Sequence, residues 1–540
     1  MFGLQFNTNF FLVWCRVLLV IMTFALSLIG GAVDGTAGED TTNGQHNPTC
    51  SNTQFSITLD PSVADKPVSG RLFVFLSQRA FGQPMNGPNW FGPEPFFGLD
   101  VDKMTPGESI QIDEAADGFP GKLSDLPAGK YRAQALLDHD FYRSSPSAGE
   151  GNFYSDVIEI EIGVEGSSDP IAFQLTNTVG TTEFPETEFI KQVVIKSELL
   201  SEFHGREVLD RCGVVLPPSY YDEPKRRYPV IFRIPGFGGS HYSAARGGRR
   251  QARGEGIEEF IQVFLTGECK WGHHVYADSE NNGPRGATLV QELIPYLDQN
   301  FRTVPESYAR FLTGHSSGGW STLWLQVSYP DVFGGTWSTA PDPVDFRDFQ
   351  LINIYAEGEL MFVDNNGARR PLARRPSGDG RSLPVLMYDD FCKMDDVLKR
   401  GGQLRSFEAV FSPRGEDGEP LWLWNRETGE IDPQVAKAWE AYDINLILQR
   451  NWETLGPKLA GKVTIIAGGL DTFYLDGAVV KLKETLTKLK SNAVIEIIPG
   501  ADHGSFMTQE VTGRISREMS EAFRKHHGQR SGLEKSTAAK

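Results

Sequence analysis

The sequence predicts an α/β fold, with a mostly parallel sheet and helices on both of its faces, preceded by a small all-β sandwich domain. From about residue 185, short apolar runs alternate with amphipathic segments, which is the pattern of parallel strands joined by helices. Between residues 53 and 165 the apolar residues instead follow a two-residue period, as in residues 157–162, which indicates half-buried strands. A chain of 540 residues is also too long for one ordinary domain.

The N-terminal segment has the composition of an export signal. Arg16 precedes an apolar run over residues 17–29, and the small residues Gly30, Gly31 and Ala32 follow it. The run is short for a membrane span of about 20 residues, so residues 1–32 are interpreted as a signal peptide, with a retained N-terminal anchor as the alternative. We therefore expect a secreted, periplasmic or cell-surface protein.

Shifts in composition along the rest of the chain predict its domain boundaries. Gly, Thr and Asn are frequent in residues 33–52, which we interpret as a linker. We expect the β-sandwich domain at 53–175, the α/β domain at 185–525 with an insertion or cap at 341–460, and a disordered tail at 526–540. The aromatic segment 89–97 is expected to pack against the neighbouring domain, with a sugar- or partner-binding surface as the alternative.

Charge and cysteine content exclude several classes of protein. A formal net charge of −18 argues against a nucleic-acid partner and against binding to anionic membranes, which would require a basic patch. Four cysteines follow Cys15, so one or two disulfides can form, but their spacing names no pairing. We expect no metal, because no C-x-x-C or regular Cys/His spacing is present and adjacent histidines such as His273 and His274 point in different directions on a strand. No cofactor is expected either. The oligomeric state is not predicted.

The sequence Gly314-His315-Ser316-Ser317-Gly318 is the strongest motif in the chain. It lies between an apolar run at 309–313 and a segment at 319–325 that is typical of a helix. A G-x-S-x-G pattern in this strand–turn–helix context predicts a sharp turn that exposes the Ser316 hydroxyl above the sheet. The glycines are needed because a Cβ at these positions would clash with a neighbouring strand or helix. Ser316 is therefore the candidate nucleophile.

A serine nucleophile needs a base and an acid, and both types of residue follow later strands. His503 comes after the last predicted strand, 493–498, and is the candidate base. Asp471 directly follows the strand predicted at 463–469 and is the candidate acid, and Asp476 is the alternative. The chain order Ser316, Asp471, His503 is that of the α/β-hydrolase fold. Three suitable residues in this order are more specific evidence for that fold than the serine motif alone.

The negative oxygen of a tetrahedral intermediate needs N–H donors that are already in place. One is expected from the backbone of Ser317, the residue after the nucleophile. The other is expected from the glycine-rich loop after the strand predicted at 229–234, from the backbone of Phe237, with that of Gly238 as the alternative.

Several motifs resemble the esterase D-like, or putative esterase, family of α/β-hydrolases. Residues 227–239, the segment 216–220, the serine motif with its flanks at 313–319, and residues 329–333 all match that family's pattern. The resemblance covers roughly 190–345 and 460–510, and the preceding β domain is similar to that of enterochelin-esterase-like members. Two differences stand out: Pro235 precedes Gly236 where the family usually has histidine, and Ser317 stands where it often has methionine.

Motifs and resemblance together imply an exported serine esterase that forms an acyl-enzyme and acts on a small-molecule or carbohydrate-linked ester. Three alternatives remain open at this point. They are an acyltransferase on the same fold, a serine peptidase of the oligopeptidase type, and a non-catalytic cell-surface binding protein. About 115 residues are too few for the large propeller that normally precedes an oligopeptidase domain.

Overall fold

The computed structural model describes residues 53–538 except 141, 165–168, 248–253, 255 and 378–380. The expected signal peptide at 1–32 and linker at 33–52 lie outside these residues. Among the described residues, the β domain has nine strands. They are β1 Phe55–Leu59, β2 Val68–Ser77, β3 Phe96–Met104, β4 Ser109–Ile112, β5 Asp117–Phe119, β6 Gly129–Asp138, β7 Phe153–Ser155, β8 Ile158–Ile162 and β9 Ile171–Thr178.

The nine strands are joined by hydrogen bonds into one sheet that folds over on itself. The strand order is β4-β1-β9-β7-β6-β2-β3-β5, and β8 pairs with β6. Although β1 and β3 are well separated in this order, the rings of Phe55 on β1 and Phe97 on β3 are 6.2 Å apart. The sheet therefore forms two layers around its own core, which is the arrangement expected of the sandwich.

The second sheet has the strand order β10-β11-β13-β12-β18-β19-β22-β23. Its strands after β11 run parallel to one another, and β11 is antiparallel to both of its neighbours. This order and direction are those of an α/β-hydrolase sheet. The strands of this part of the chain, with the short pairs outside the sheet, are β10 Ile190–Lys196, β11 Leu209–Val215, β12 Val230–Ile234, β13 Ile261–Phe264, β14 Glu268–Cys269, β15 Gly272–His273, β16 Asp278–Ser279, β17 Gly283–Pro284, β18 Arg310–His315, β19 Gly335–Thr339, β20 Pro371–Pro376, β21 Ser382–Met387, β22 Val463–Gly468 and β23 Val494–Ile498.

Helices connect and cover these strands, and a π-helical turn at Leu289–Leu293 joins α3 to α4. The last helix continues through most of the tail that was expected to be disordered from residue 526. Residues 526–540 contain no proline that would end the helix. The helices are α1 Glu198–His204, α2 Ala244–Gly247, α3 Arg285–Thr288, α4 Ile294–Asn300, α5 Ser317–Ser328, α6 Tyr388–Leu398, α7 Gln403–Phe411, α8 Pro433–Trp439, α9 Ile444–Leu459, α10 Asp476–Lys488 and α11 Gln509–Ala538.

The β domain and the hydrolase domain share a continuous apolar core. Successive side chains of β2 point to opposite faces of the sheet, so Leu72 and Val74 lie inside the β domain. Phe73 and Phe75 point outward and belong to the core that contains Trp320 of α5. The described residues accordingly belong to one compact unit.

The expected insertion at 341–460 lies between β19 and β22 and contains the hairpin β20–β21 with helices α6 to α9. It packs on the β domain, because Arg71 Nε of β2 donates a hydrogen bond of 2.8 Å to the backbone carbonyl of Val397. Within the described residues, Cys212, Cys269 and Cys392 are buried free thiols, and no helix there has the length and apolarity to cross a membrane. Cys50 lies outside those residues.

Candidate functional site

Ser316 lies in the sharp turn between β18 and α5. Its backbone has φ 59° and ψ −126°, a conformation that non-glycine residues rarely adopt. The Ser316 N–H donates to the carbonyl of Thr339 at 3.0 Å, which ties the turn to β19. The strain is maintained by this surrounding structure, as expected of a nucleophile elbow.

The glycines of the motif are required by close backbone contacts. A Cβ on Gly314 would clash with the carbonyl of Gly318 at the start of α5, and a Cβ on Gly318 would clash with the carbonyl of Ile234 at the end of β12. The turn can therefore approach both the helix and the neighbouring strand only because these side chains are absent.

His503 and Asp471 are hydrogen-bonded to each other. His503 Nδ1 and Asp471 Oδ2 are 2.7 Å apart, and the Asp471 side chain is 0% exposed. The other oxygen, Asp471 Oδ1, accepts the backbone N–H of Phe473 at 2.8 Å. With Nδ1 donating to the carboxylate, Nε2 of a neutral His503 carries the lone pair that a general base needs.

Asp476, the alternative acid, has a different partner. Its Oδ1 accepts a hydrogen bond of 2.7 Å from Arg374 Nη2 of the insertion, and Arg374 Nε also donates to the backbone carbonyl of Asp471 at 2.8 Å. Asp476 is the first residue of α10, where a negative charge interacts favourably with the helix dipole. The structure therefore brings Asp471, and not Asp476, to His503.

Nearby carboxylates stabilise the protonated form of His503. Burial opposes its positive charge, but the hydrogen bond and charge of Asp471, with the charges of Asp342 and Asp502, outweigh burial and raise the pKa of His503. The ring of His315 lies 4.6 Å from that of His503. Burial and the neighbouring His503 lower the pKa of His315 to about 4, so His315 is neutral at physiological pH.

A second buried carboxylate, Asp342, lies beside the candidate nucleophile. Ser316 Oγ is 3.4 Å from Asp342 Oδ1, and Gln403 Nε2 of the insertion is 3.4 Å from Asp342 Oδ2 and 3.2 Å from Ser317 Oγ. Burial raises the pKa of Asp342 to about 6, while hydrogen bonds from Ser317 and Ser316 and the charge of His503 partly oppose this rise.

Asp342 was not apparent from the sequence, because β19, the strand that precedes it, is short and polar. Asp342 lies three residues after the carboxyl end of that strand, next to β18 in the sheet. An acidic residue just after a strand adjacent to the elbow strand is the signal that could have found it.

The glycine-rich loop after β12 approaches the serine closely. A Cβ on Gly236 would lie 3.3 Å from Ser316 Cβ, and Gly238 has φ 72°, in the left-handed region that favours glycine. The loop thus carries the backbone of Phe237 past the candidate nucleophile. Ser317 begins α5, so its N–H has no partner within the helix.

Buried histidines support this loop. His273 Nδ1 accepts the backbone N–H of Val275 at 3.0 Å, so its Nε2 carries the proton and donates to the carbonyl of Pro235 at 3.0 Å. Burial lowers the pKa of His273 to about 4. His274 Nε2 lies 3.1 Å from the carbonyl of Thr266. Within the described part of the chain, no group of three or more His, Cys, Asp and Glu residues could hold a metal ion.

Aromatic side chains from three parts of the chain meet at the site. Trp90 of the β domain packs 5.6 Å from the ring of Phe237, 4.9 Å from that of Phe391 in the insertion, and 6.3 Å from that of Phe473. Phe473 in turn lies 5.1 Å from the ring of His503. The segment 89–97 therefore packs on the neighbouring domain, as expected, and does so beside the candidate site.

Comparison with known proteins identifies similar esterases. Residues 210–503, more than half of the chain, match the sequence model of the family described as Putative esterase. A Xylanibacter ruminicola protein named endo-1,4-beta-xylanase/feruloyl esterase is 31% identical over 147 residues, which are 25% of this chain. The chain covers only 19% of that protein's length.

Solved structures of esterases give weak overall superpositions. A ferulic acid esterase has a TM-score of 0.40 at 11% identity, over 62% of this chain and 98% of its own. An S-formylglutathione hydrolase from Agrobacterium tumefaciens has a TM-score of 0.38 at 14% identity, over 63% of this chain and 98% of its own.

Proposed function

Because this chain belongs to the Putative esterase family, we propose that it is a serine hydrolase that cleaves carboxylic esters. The observation that carries the proposal is the 2.7 Å contact between His503 and Asp471, at the edge of the sheet where Ser316 is held in a strained turn. Ser316 acts as nucleophile, His503 as base and Asp471 as the acid that orients His503.

The reaction proceeds through an acyl-enzyme. Ser316 Oγ attacks the ester carbonyl carbon while His503 Nε2 accepts its proton, and the backbone N–H groups of Phe237 and Ser317 stabilise the negative oxygen. The C–O bond to the alcohol breaks as His503 returns the proton to the leaving oxygen. Water then attacks the acyl-enzyme with His503 again as base, and the carboxylic acid leaves Ser316. A sugar hydroxyl in place of water would give acyl transfer.

Asp342 contributes to this reaction through charge. Its carboxylate competes with His503 for the Ser316 hydroxyl, so the hydroxyl must turn towards Nε2 before attack. The same negative charge favours the imidazolium that forms when the proton is transferred.

Aromatic carboxylic esters are the proposed substrate class. Phe473 lies 5.1 Å from His503 and packs against Trp90, which packs against Phe237; all three aromatic side chains are partly exposed, and a planar aromatic acyl group would stack on this cluster. The feruloyl esterase activity named for the Xylanibacter ruminicola protein is consistent with this choice.

We expect the protein to hydrolyse methyl ferulate faster than an acetylated sugar, and to leave peptide amides intact. Trp90→Ala should lower kcat/KM for methyl ferulate by roughly 3- to 10-fold through loss of ring contacts, and should change acetyl ester hydrolysis little. The measurement is steady-state kinetics on a panel of feruloyl, acetyl and short-chain acyl esters with one peptide substrate.

Phe81→Ala is the matched control for Trp90→Ala, because Phe81 belongs to the same domain but its side chain is 89% exposed. Turnover of the peptide with no ester hydrolysed would overturn the esterase proposal. Equal losses for methyl ferulate and the acetyl ester in the Trp90 variant would refute the aromatic substrate class alone.

Asp342→Asn should move the acidic limb of the pH profile of kcat/KM to lower pH. His503 must be neutral to accept the proton, and the charge of Asp342 helps to raise the pKa of His503. Removal of that charge lowers the pKa, so we expect the midpoint of the acidic limb to fall by roughly 0.5 to 1 pH unit. Glu357→Gln, at an exposed position of the same insertion, should leave the midpoint unchanged. An unchanged or higher midpoint in Asp342→Asn would contradict this role.

We also propose that the esterase is exported, because Arg16 and the apolar run at 17–29 have the composition of a signal peptide. N-terminal sequencing of the mature protein from culture medium or the cell envelope tests this proposal, and recovery of the intact N-terminus in the cytosol would contradict it.

A further inference from the structure

A cavity lies between the β domain and the edge of the hydrolase sheet, away from Ser316. Its volume is about 710 Å³, within the range of small-molecule sites. Its wall includes Tyr142 of the β domain, Arg211 of β11, Arg285 of α3 and Arg414 of the insertion. Neither Ser316 nor His503 is part of its lining.

The lining of this cavity is positively charged in an acidic protein. Five arginines and one lysine face four carboxylates, although the whole chain has a formal net charge of −18. One of those carboxylates, Glu268, is already paired with Arg143 at 2.9 Å. Among the described residues, no carboxylate oxygen lies within 4 Å of the guanidinium of Arg285 or Arg414.

Burial and the positive charge of the lining lower the pKa of two histidines in the wall. Burial, with the charges of Arg285, Arg206 and Arg414, lowers the pKa of His204 to about 4. Burial, with the charges of Arg211 and Arg143, lowers the pKa of His241 to about 4 as well. Both imidazoles are therefore neutral hydrogen-bonding groups at physiological pH, in surroundings that favour an anion.

Asp210 is a carboxylate of the lining whose negative charge offsets the positive charge of the neighbouring arginines. The charge of Arg285 partly offsets the burial that raises the pKa of Asp210 to about 6. Asp210 therefore offsets part of the charge of both Arg285 and Arg211. Lys270 lies 3.9 Å from Glu419, but Arg285 and Arg414 have no ion pair within 4 Å among the described residues.

Buried polar atoms in the same wall have no partner. Asn281 is 4% exposed, and its Nδ2 donates to the carbonyl of Ser412 at 2.9 Å, which leaves Oδ1 without a donor. His204 Nε2 is likewise unpartnered. A buried acceptor such as Asn281 Oδ1 requires a donor, and an anion alone supplies none.

We propose that this cavity binds a hydroxylated anion of monosaccharide size, such as a sugar carboxylate or sugar phosphate. Arg285 and Arg414 would pair with the anionic group, since guanidinium groups match carboxylate and phosphate oxygens in pairs. Hydroxyl groups would donate to Asn281 Oδ1. The site is separate from the esterase centre and does not depend on the function proposed for it.

Isothermal titration calorimetry on the full chain tests the proposal with D-glucuronate, D-glucose 6-phosphate, D-glucose and inorganic phosphate. We expect saturable 1:1 binding of glucuronate or glucose 6-phosphate, weaker binding of inorganic phosphate, and none of glucose. Binding of glucuronate alone indicates a carboxylate ligand, and binding of glucose 6-phosphate alone indicates a phosphate ligand. Ser316→Ala should bind with unchanged affinity, which separates the cavity from the esterase site.

Arg285→Gln and Arg414→Gln should each weaken the binding at least tenfold. Arg450→Gln, at an exposed arginine outside the cavity, is the control and should not change it. Arg414 lies in an exposed loop, so its variant tests the site even if Arg285→Gln impairs folding. The proposal is overturned if neither sugar anion binds, if glucose binds as tightly, or if a folded Arg414→Gln protein binds with unchanged affinity.

Discussion

Ser316→Ala is expected to reduce kcat/KM for the best ester substrate by about 10⁵- to 10⁶-fold. This loss corresponds to about 7–8 kcal/mol of transition-state stabilisation, because the variant cannot form the acyl-enzyme. Alanine and serine experience similar strain at φ 59°, so the variant should fold with nearly the same Tm. A fluorophosphonate probe should label the native protein at Ser316 and leave the variant unlabelled, as intact mass and peptide mapping would show.

Ser328→Ala is the matched control, since Ser328 is an exposed serine at the other end of α5. Its activity and labelling should equal those of the native protein. Probe labelling at Ser317, or full ester hydrolysis by folded Ser316→Ala, would show that the nucleophile has been misassigned.

Asp471→Asn is expected to lower kcat by about 10⁴-fold while the protein stays folded. The backbone N–H of Phe473 already donates to one oxygen of Asp471. An asparagine would keep its oxygen there and turn its amide group towards His503 Nδ1. His503 would then carry its proton on Nε2, where it could no longer accept the proton of Ser316. The measurement is kcat at the pH optimum with matched Tm values.

Asp476→Asn applies the same substitution five residues further along the chain. Asp476 pairs with Arg374 rather than with His503, so this variant should lose only a few-fold in kcat. A large loss in Asp476→Asn with little change in Asp471→Asn would reverse the assignment of the acid.

The sequence predicted the parts of the site that depend on strand ends. Ser316, Asp471 and His503 each follow a strand that is visible as an apolar run, and parallel strands bring their carboxyl ends to one edge of a sheet. The choice between Asp471 and Asp476 could not be made firmly in this way, because both follow β22. Asp476 instead pairs with Arg374, which lies 102 residues earlier in the chain.

Asp342 and Trp90 show why other parts of the site were not predicted. Asp342 follows β19, whose sequence Gly335–Thr339 is short and polar, although every residue in it is buried. Burial of such a strand is set by its neighbours β18 and β22 and leaves no apolar run in the sequence. Trp90 reaches the site from another domain, through contacts between residues that are far apart in the chain.

By itself, the sequence determined the alternation of strands and helices, the sharp turn at Ser316 and the residue types that follow the strands with apolar runs. These features are local: a glycine is required where backbones approach within contact distance, and a run of apolar residues marks those buried strands that contain one. Only the tertiary structure decided which carboxylate meets His503, that Asp342 lies beside Ser316, and that Trp90 packs at the site. Those contacts join residues separated by tens to hundreds of positions, so they exist only after the sheets and the insertion have packed together.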